Sequence, residues 1–118
     1  MDNRQRNISV LEHIQRYCAE ISEMVERFGD SVDVFNNDTA YKHACSMCIL
    51  QIGELTIHLT EDFKFKHNQI PWKNIKAMRN ITAHSYGRMD TDTVWATIKQ
   101  DIPALYAYCG EIINQNKN

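Results

Sequence analysis

Within eight residues, Arg79-Asn80-Ile81-Thr82-Ala83-His84-Ser85-Tyr86 combines a permanent cation, a group that titrates near neutrality and a phenol. A guanidinium offers a planar fork of donors that matches two phosphate oxygens. An imidazole, with an unperturbed pKa of about 6.5, takes or gives a proton near pH 7. Together they can handle a phosphodiester: Arg79 to hold charge on the phosphate, His84 to move the proton, Asn80 to orient either one through its amide. Tyr86 adds a hydrogen bond or a surface on which a base stacks.

The surroundings of this stretch favour an anionic partner. Between Phe63 and Met89 the chain carries Lys64, Lys66, Lys73, Lys76, Arg79 and Arg88 and no Asp or Glu, while the remainder holds 7 basic and 15 acidic residues. The overall charge of −2 thus conceals a local +6 against −8 elsewhere. A concentrated patch attracts phosphate even on a molecule that is acidic as a whole. Lys73, Lys76 and Arg88 are the candidate contacts beside the motif for the phosphates of such a partner. A solvated, lysine-rich helix face is the competing account of the same residues.

Geometry adds a condition. On an unbroken helix, five residues at about 100° each separate Arg79 from His84 by about 140° around the axis and about 7.5 Å along it. One straight helix does not aim both at one phosphate. Convergence requires a helix that ends near Ala83, or a second copy of the chain across a two-fold axis. In such a cleft a neutral His84 would take the proton of a ribose 2′-hydroxyl, which attacks the adjoining phosphorus, while Arg79 holds the non-bridging oxygens. A 2′,3′-cyclic phosphate and a 5′-hydroxyl are the expected products, and DNA, lacking the hydroxyl, is expected to be inert. No acidic cluster lies near the motif to hold magnesium, so neither a metal nor another cofactor is expected.

The elements that must position these residues read as helices. Ile8, Leu11, Ile14, Cys18, Ile21, Val25 and Phe28 recur every three or four residues, the spacing of a long first helix stopped at Gly29-Asp30. Ser31 to Asn37 reads as a connector. Asn37 or Asp38 caps a second helix through Ala44, Met47, Ile52, Leu55 and Leu59. Its internal Gly53 costs about 1 kcal/mol relative to Ala and so marks a close approach by another backbone or a ligand, helix packing being the plainer choice. Phe63 to Gln69 reads as a basic loop, and Pro71 opens the third helix, which carries the motif and can end at Gly87. Asp90 precedes a fourth helix with Val94, Trp95 and Ile98. Asp101 with Pro103 announces a fifth with Leu105, Tyr108, Ile112 and Ile113. No strand-like alternation or internal repeat is visible. The expected fold is all-α, an up-and-down bundle of four main helices plus a short extra one, as a single domain over residues 1–118.

The bulk numbers agree with this reading and exclude others. A chain of 118 residues with 43% hydrophobic and 24% charged residues, four Gly and two Pro has the composition of one globular domain. Its apolar runs fall far short of the roughly 20 residues that cross a bilayer. Glu12, His13, Gln15 and Arg16 interrupt any signal-peptide core, so a cytoplasmic location is expected. Cys18, Cys45, Cys48 and Cys109 fall on helical stripes and read as reduced core residues; the histidines supply no pair at zinc-ligand spacing.

The segment Ile70-Pro71-Trp72-Lys73-Asn74-Ile75-Lys76-Ala77-Met78-Arg79-Asn80-Ile81-Thr82-Ala83-His84-Ser85-Tyr86 resembles the HepT-like toxins of the HEPN superfamily. Asp38 with Ala40 and Ala44, Ile52-Gly53-Glu54, and Val94-Trp95 followed by Asp101-Ile102-Pro103 extend the likeness over most of the chain. The resemblance implies a HEPN-like, homodimeric, metal-independent endoribonuclease with Arg79 and His84 as catalytic residues and Asn80 in support. It implies further a toxin of a toxin–antitoxin pair, silenced when a minimal nucleotidyltransferase partner, MntA, adenylylates Tyr86. The alternative expectation is a non-catalytic helical module that binds nucleotide or RNA, or docks the nucleotidyltransferase.

Overall fold

The structure, a computed structural model, describes residues 2–84 and 90–116, the side chains of 81–84 excepted. The first helix, α1 (Asn3–Phe28), starts where the Asp2 carboxylate accepts the Gln5 N–H at 2.8 Å and stops at Gly29, whose φ of 128° suits glycine alone. Leu11, Ile14, Cys18 and Ile21 lie fully buried along one stripe. At 26 residues α1 spans about 39 Å, most of the molecule's 44 Å long axis.

The expected connector from Ser31 to Asn37 is instead a helix, α2 (Val32–Asn37), with the Ser31 hydroxyl accepting the Val34 N–H. Its single core residue, Phe35, sits edge-on to Tyr41 at 4.9 Å and against Trp95 at 5.3 Å. One anchor in six residues leaves no periodicity to read. Asp38, of the two caps considered, starts α3 (Thr39–Thr56) through the Tyr41 N–H at 3.1 Å. This helix ends one turn short of the expected Leu59.

The expected basic loop is likewise mostly helical. In α4 (Glu61–Lys66) Thr60 caps the start, acidic Glu61 and Asp62 fill the first turn and basic Lys64 and Lys66 the last, an order that complements the helix dipole. Asn7, buried on α1, fixes this turn by donating to the Thr60 hydroxyl and accepting the Thr60 N–H, both at 3.1 Å. Pro71 then precedes α5 (Trp72–His84), and the Trp72 indole donates to the His67 carbonyl at 3.1 Å. The expected stop at Gly87 lies outside the described residues.

Asp90 caps α6 (Thr91–Ala96) as anticipated, with the Thr93 N–H and hydroxyl both bonded to its carboxylate. The fourth and fifth helices of the sequence reading are, however, continuous. A π-helical turn (Thr97–Asp101) joins α6 to α7 (Ile102–Gln115), the Ile102 N–H bonding the Thr97 carbonyl five residues back. Asp101 is itself helical and makes no cap. Buried Val94, Ile98 and Ile102 step by four residues, which on a regular helix would drift the apolar stripe by about 80°. The wide turn takes up that drift, and it loosens the ladder just where Pro103 lacks an N–H.

Among the described residues there is no strand. Four longer helices carry the architecture: α1 packs on α3 and α7, and α3 packs on α5. Three short ones, rather than the single extra helix expected, fill the ends. Leu11, Ile14, Cys18, Tyr41, Cys45, Ile52, Ile102 and Cys109 form the centre of one core.

Candidate functional site

The motif helix α5 turns Trp72, Ile75 and Met78 inward and leaves Lys73, Lys76 and Asn80 exposed. These three lie within about one sixth of the helix circumference, so the basic stripe runs toward the C-terminal end of α5. The helix includes His84, whose backbone follows Asn80 by about one turn on the same solvent side. Arg79 leaves from the flank that faces α3. The backbones of Arg79 and His84 therefore keep the separation of about 140° calculated for an unbroken helix. The His84 side chain, Tyr86 and Arg88 lie outside the described residues.

What holds Arg79 in place is the pair Gly53-Glu54 on α3. A Cβ at Gly53 would stand 3.0 Å from the Arg79 Cβ and 3.3 Å from its backbone nitrogen, so the absent side chain is what lets α5 lie against α3 at this point. Helix packing, one of the two accounts offered for this glycine, is the one found. One residue on, the Glu54 carboxylate accepts from Arg79 Nη1 at 2.9 Å across the seam. Both side chains remain partly open to water, at 32% for Arg79 and 49% for Glu54. The chain fold thus brings the Glu54 carboxylate from another helix to a segment that has no acidic residue of its own.

A groove of about 200 Å³ runs along the other flank of α5, lined by Ile70, Ile75 and Met78 and, across it, by Thr97, Leu105 and Tyr108. It is largely apolar, although Asn74 and Asp101 also line it, and it holds none of the expected site residues.

The four cysteines are buried and unpaired. Burial pushes the thiols of Cys45, Cys48 and Cys109 up to about 12, and that of Cys18 further still with Cys109 and Cys48 beside it. They are core residues, not nucleophiles. Among the described residues no three His, Cys, Asp or Glu side chains gather as a metal site would need, and no helix is long and apolar enough to cross a membrane.

Comparison with known proteins gives one family. The model of the family described as "Ribonuclease HepT-like" matches residues 14–112. "Putative RNase TTE0752" of Caldanaerobacter subterraneus is 34% identical over 107 residues, covering 91% of this chain and 94% of that protein. "Probable ribonuclease HepT" of Thermococcus cleftensis is 34% identical over 89 residues, 74% of this chain and 81% of that one. No solved structure matches.

Proposed function

The chain belongs to the ribonuclease HepT-like family, and on that premise we propose that it is a metal-independent endoribonuclease whose reaction is carried by Arg79 and His84. The observation that carries the reading is the family match across the motif, joined to an Arg79 that is held at the seam of α3 and α5 yet partly open to solvent. A buried arginine would be structural. This one can meet a phosphate.

In the proposed reaction neutral His84 takes the proton of a ribose 2′-hydroxyl. The 2′-oxygen bonds to phosphorus, the bond to O5′ breaks, and O5′ takes a proton from water or from an imidazolium. Arg79 stabilises the phosphorane oxygens as they gain charge. Asn80, exposed one residue on, orients phosphate or imidazole, and Lys73 and Lys76 lead the RNA backbone along α5. The wide angle between Arg79 and His84 is resolved by a homodimer, in which each cleft draws on two chains.

The cellular role that fits this reading is that of a toxin in a toxin–antitoxin pair. An MntA-like nucleotidyltransferase would adenylylate Tyr86, placing an added phosphodiester, with its negative charge and bulk, where the RNA phosphate belongs.

Purified, unmodified protein incubated with total RNA in EDTA is expected to yield fragments ending in 2′,3′-cyclic phosphate. His84→Ala and Arg79→Ala are expected to abolish cleavage while the far-ultraviolet circular dichroism stays helical. Binding of RNA without any product would replace this reading with that of a non-catalytic module. Coexpression with a nucleotidyltransferase is expected to add adenylate mass, absent from Tyr86→Phe.

A further inference from the structure

We infer that Glu54 is the positioning residue of the site: its carboxylate fixes the Arg79 guanidinium on the seam between α3 and α5 before RNA arrives. The inference rests on the ribonuclease reading of Arg79. Its own support is geometric. Arginine has four side-chain torsions and, on an exposed helix face, would sample many positions. Here the 2.9 Å contact from Nη1 to the Glu54 carboxylate restricts that freedom.

The contact is no ordinary surface pair. Exposed ion pairs contribute little to folding, yet this one sits where α5 lies tightly against α3, beside a glycine whose missing Cβ makes room for Arg79. An internal glycine weakens the helix, and together the two residues place a guanidinium more than they strengthen the fold. A guanidinium carries five donors in a rigid fork. One guanidinium can therefore serve a carboxylate and a phosphate together.

Such an arrangement has a cost that identifies it. Glu54 is half exposed, so its negative charge faces the same water-filled space that the RNA phosphates must enter, and it opposes their binding. Positioning raises turnover while the carboxylate's charge weakens affinity. A residue that only supported the fold would move neither parameter in this paired way.

Glu54→Ala and Glu54→Gln, made in the full chain, separate the two effects. In Glu54→Ala, kcat for an oligoribonucleotide is expected to fall about tenfold or more, as a displaced catalytic group commonly does, while KM also falls. Glu54→Gln keeps an acceptor oxygen without the charge; it is expected to recover most of kcat and to retain the lowered KM. RNA binding by Glu54→Ala in a His84→Ala background, followed by fluorescence anisotropy, is expected to tighten. An unchanged kcat, or a kcat that rises as KM falls, overturns the inference, the latter by making Glu54 only an obstruction. Wild-type protein that cleaves no RNA defeats the ribonuclease reading instead. The positioning is then decided by guanidinium rotation of Arg79 in nitrogen-15 spectra: faster in Glu54→Ala supports it, unchanged refutes it.

Discussion

Gly53→Ala is the sharpest test of how α3 and α5 share one seam. The new methyl carbon would lie 3.0 Å from the Arg79 Cβ and 3.4 Å from the Ile75 carbonyl oxygen, whereas carbon atoms rest about 3.5–4.0 Å apart. The obstacles are backbone and Cβ atoms, not the movable end of a side chain. α5 would have to withdraw by about 0.5 Å or more to restore that spacing. Alanine brings a gain of about 1 kcal/mol in helix propensity, against a cost of about 1–3 kcal/mol for overpacking. The overpacking wins, with a net loss of about 1 kcal/mol.

Gly110→Ala on α7 is the control, because a Cβ there meets only the Gln15 side-chain nitrogen, at 3.1 Å. That amide can swing aside, so the propensity gain survives and the variant is expected to be more stable by about 0.5–1 kcal/mol. Urea unfolding followed at 222 nm reads both. The midpoint should fall for Gly53→Ala and rise for Gly110→Ala at constant slope. Cleavage by Gly53→Ala should drop further than its unfolded fraction explains, because Arg79 moves with α5. A Gly53→Ala protein as stable as Gly110→Ala would refute the close approach and the role drawn from it.

Two other expectations follow from burial. His67 has its pKa lowered from 6.5, first by desolvation and then by Lys66 beside it. The unfolded chain therefore takes up this proton before the folded one does, and stability declines as pH falls below about 6.5. The urea midpoint of wild type should decrease between pH 7.5 and 5.5, and less steeply in His67→Gln; equal slopes would exclude His67 as the source. The buried thiols, protonated at neutral pH, should resist a thiol-specific disulfide reagent in native protein at pH 8. All four should react once urea is added, and rapid native labelling would contradict their placement in the core.

The long elements were legible because length gives periodicity something to act on. α1 repeats its apolar residues over seven turns, and Asp38 and Asp90 cap α3 and α6 where side-chain chemistry said they would. α2 and α4, of six residues each, show little more than one turn, and their caps at Ser31 and Thr60 resemble ordinary loop residues. The break expected at Asp101 follows from the usual meaning of an acid and a proline at a helix start. Here the preceding helix absorbs them by widening, which depends on a backbone bond from Ile102 to Thr97 that no residue type announces. At the site, Gly53 signalled a close approach but not by which helix. The pairing of Arg79 with Glu54 joins residues 25 apart, and only the packing of α3 on α5 brings them together.

The π turn at Thr97–Asp101 also bears on how the chain can change in length. Within a regular helix, one residue more or less rotates everything beyond it by about 100° and turns a buried face outward. Surface loops therefore take most insertions and deletions. In this protein the wide turn already holds an extra residue between Val94 and Leu105, both buried. A one-residue gap between relatives can fall there, in mid-helix, with the apolar faces on either side kept in register.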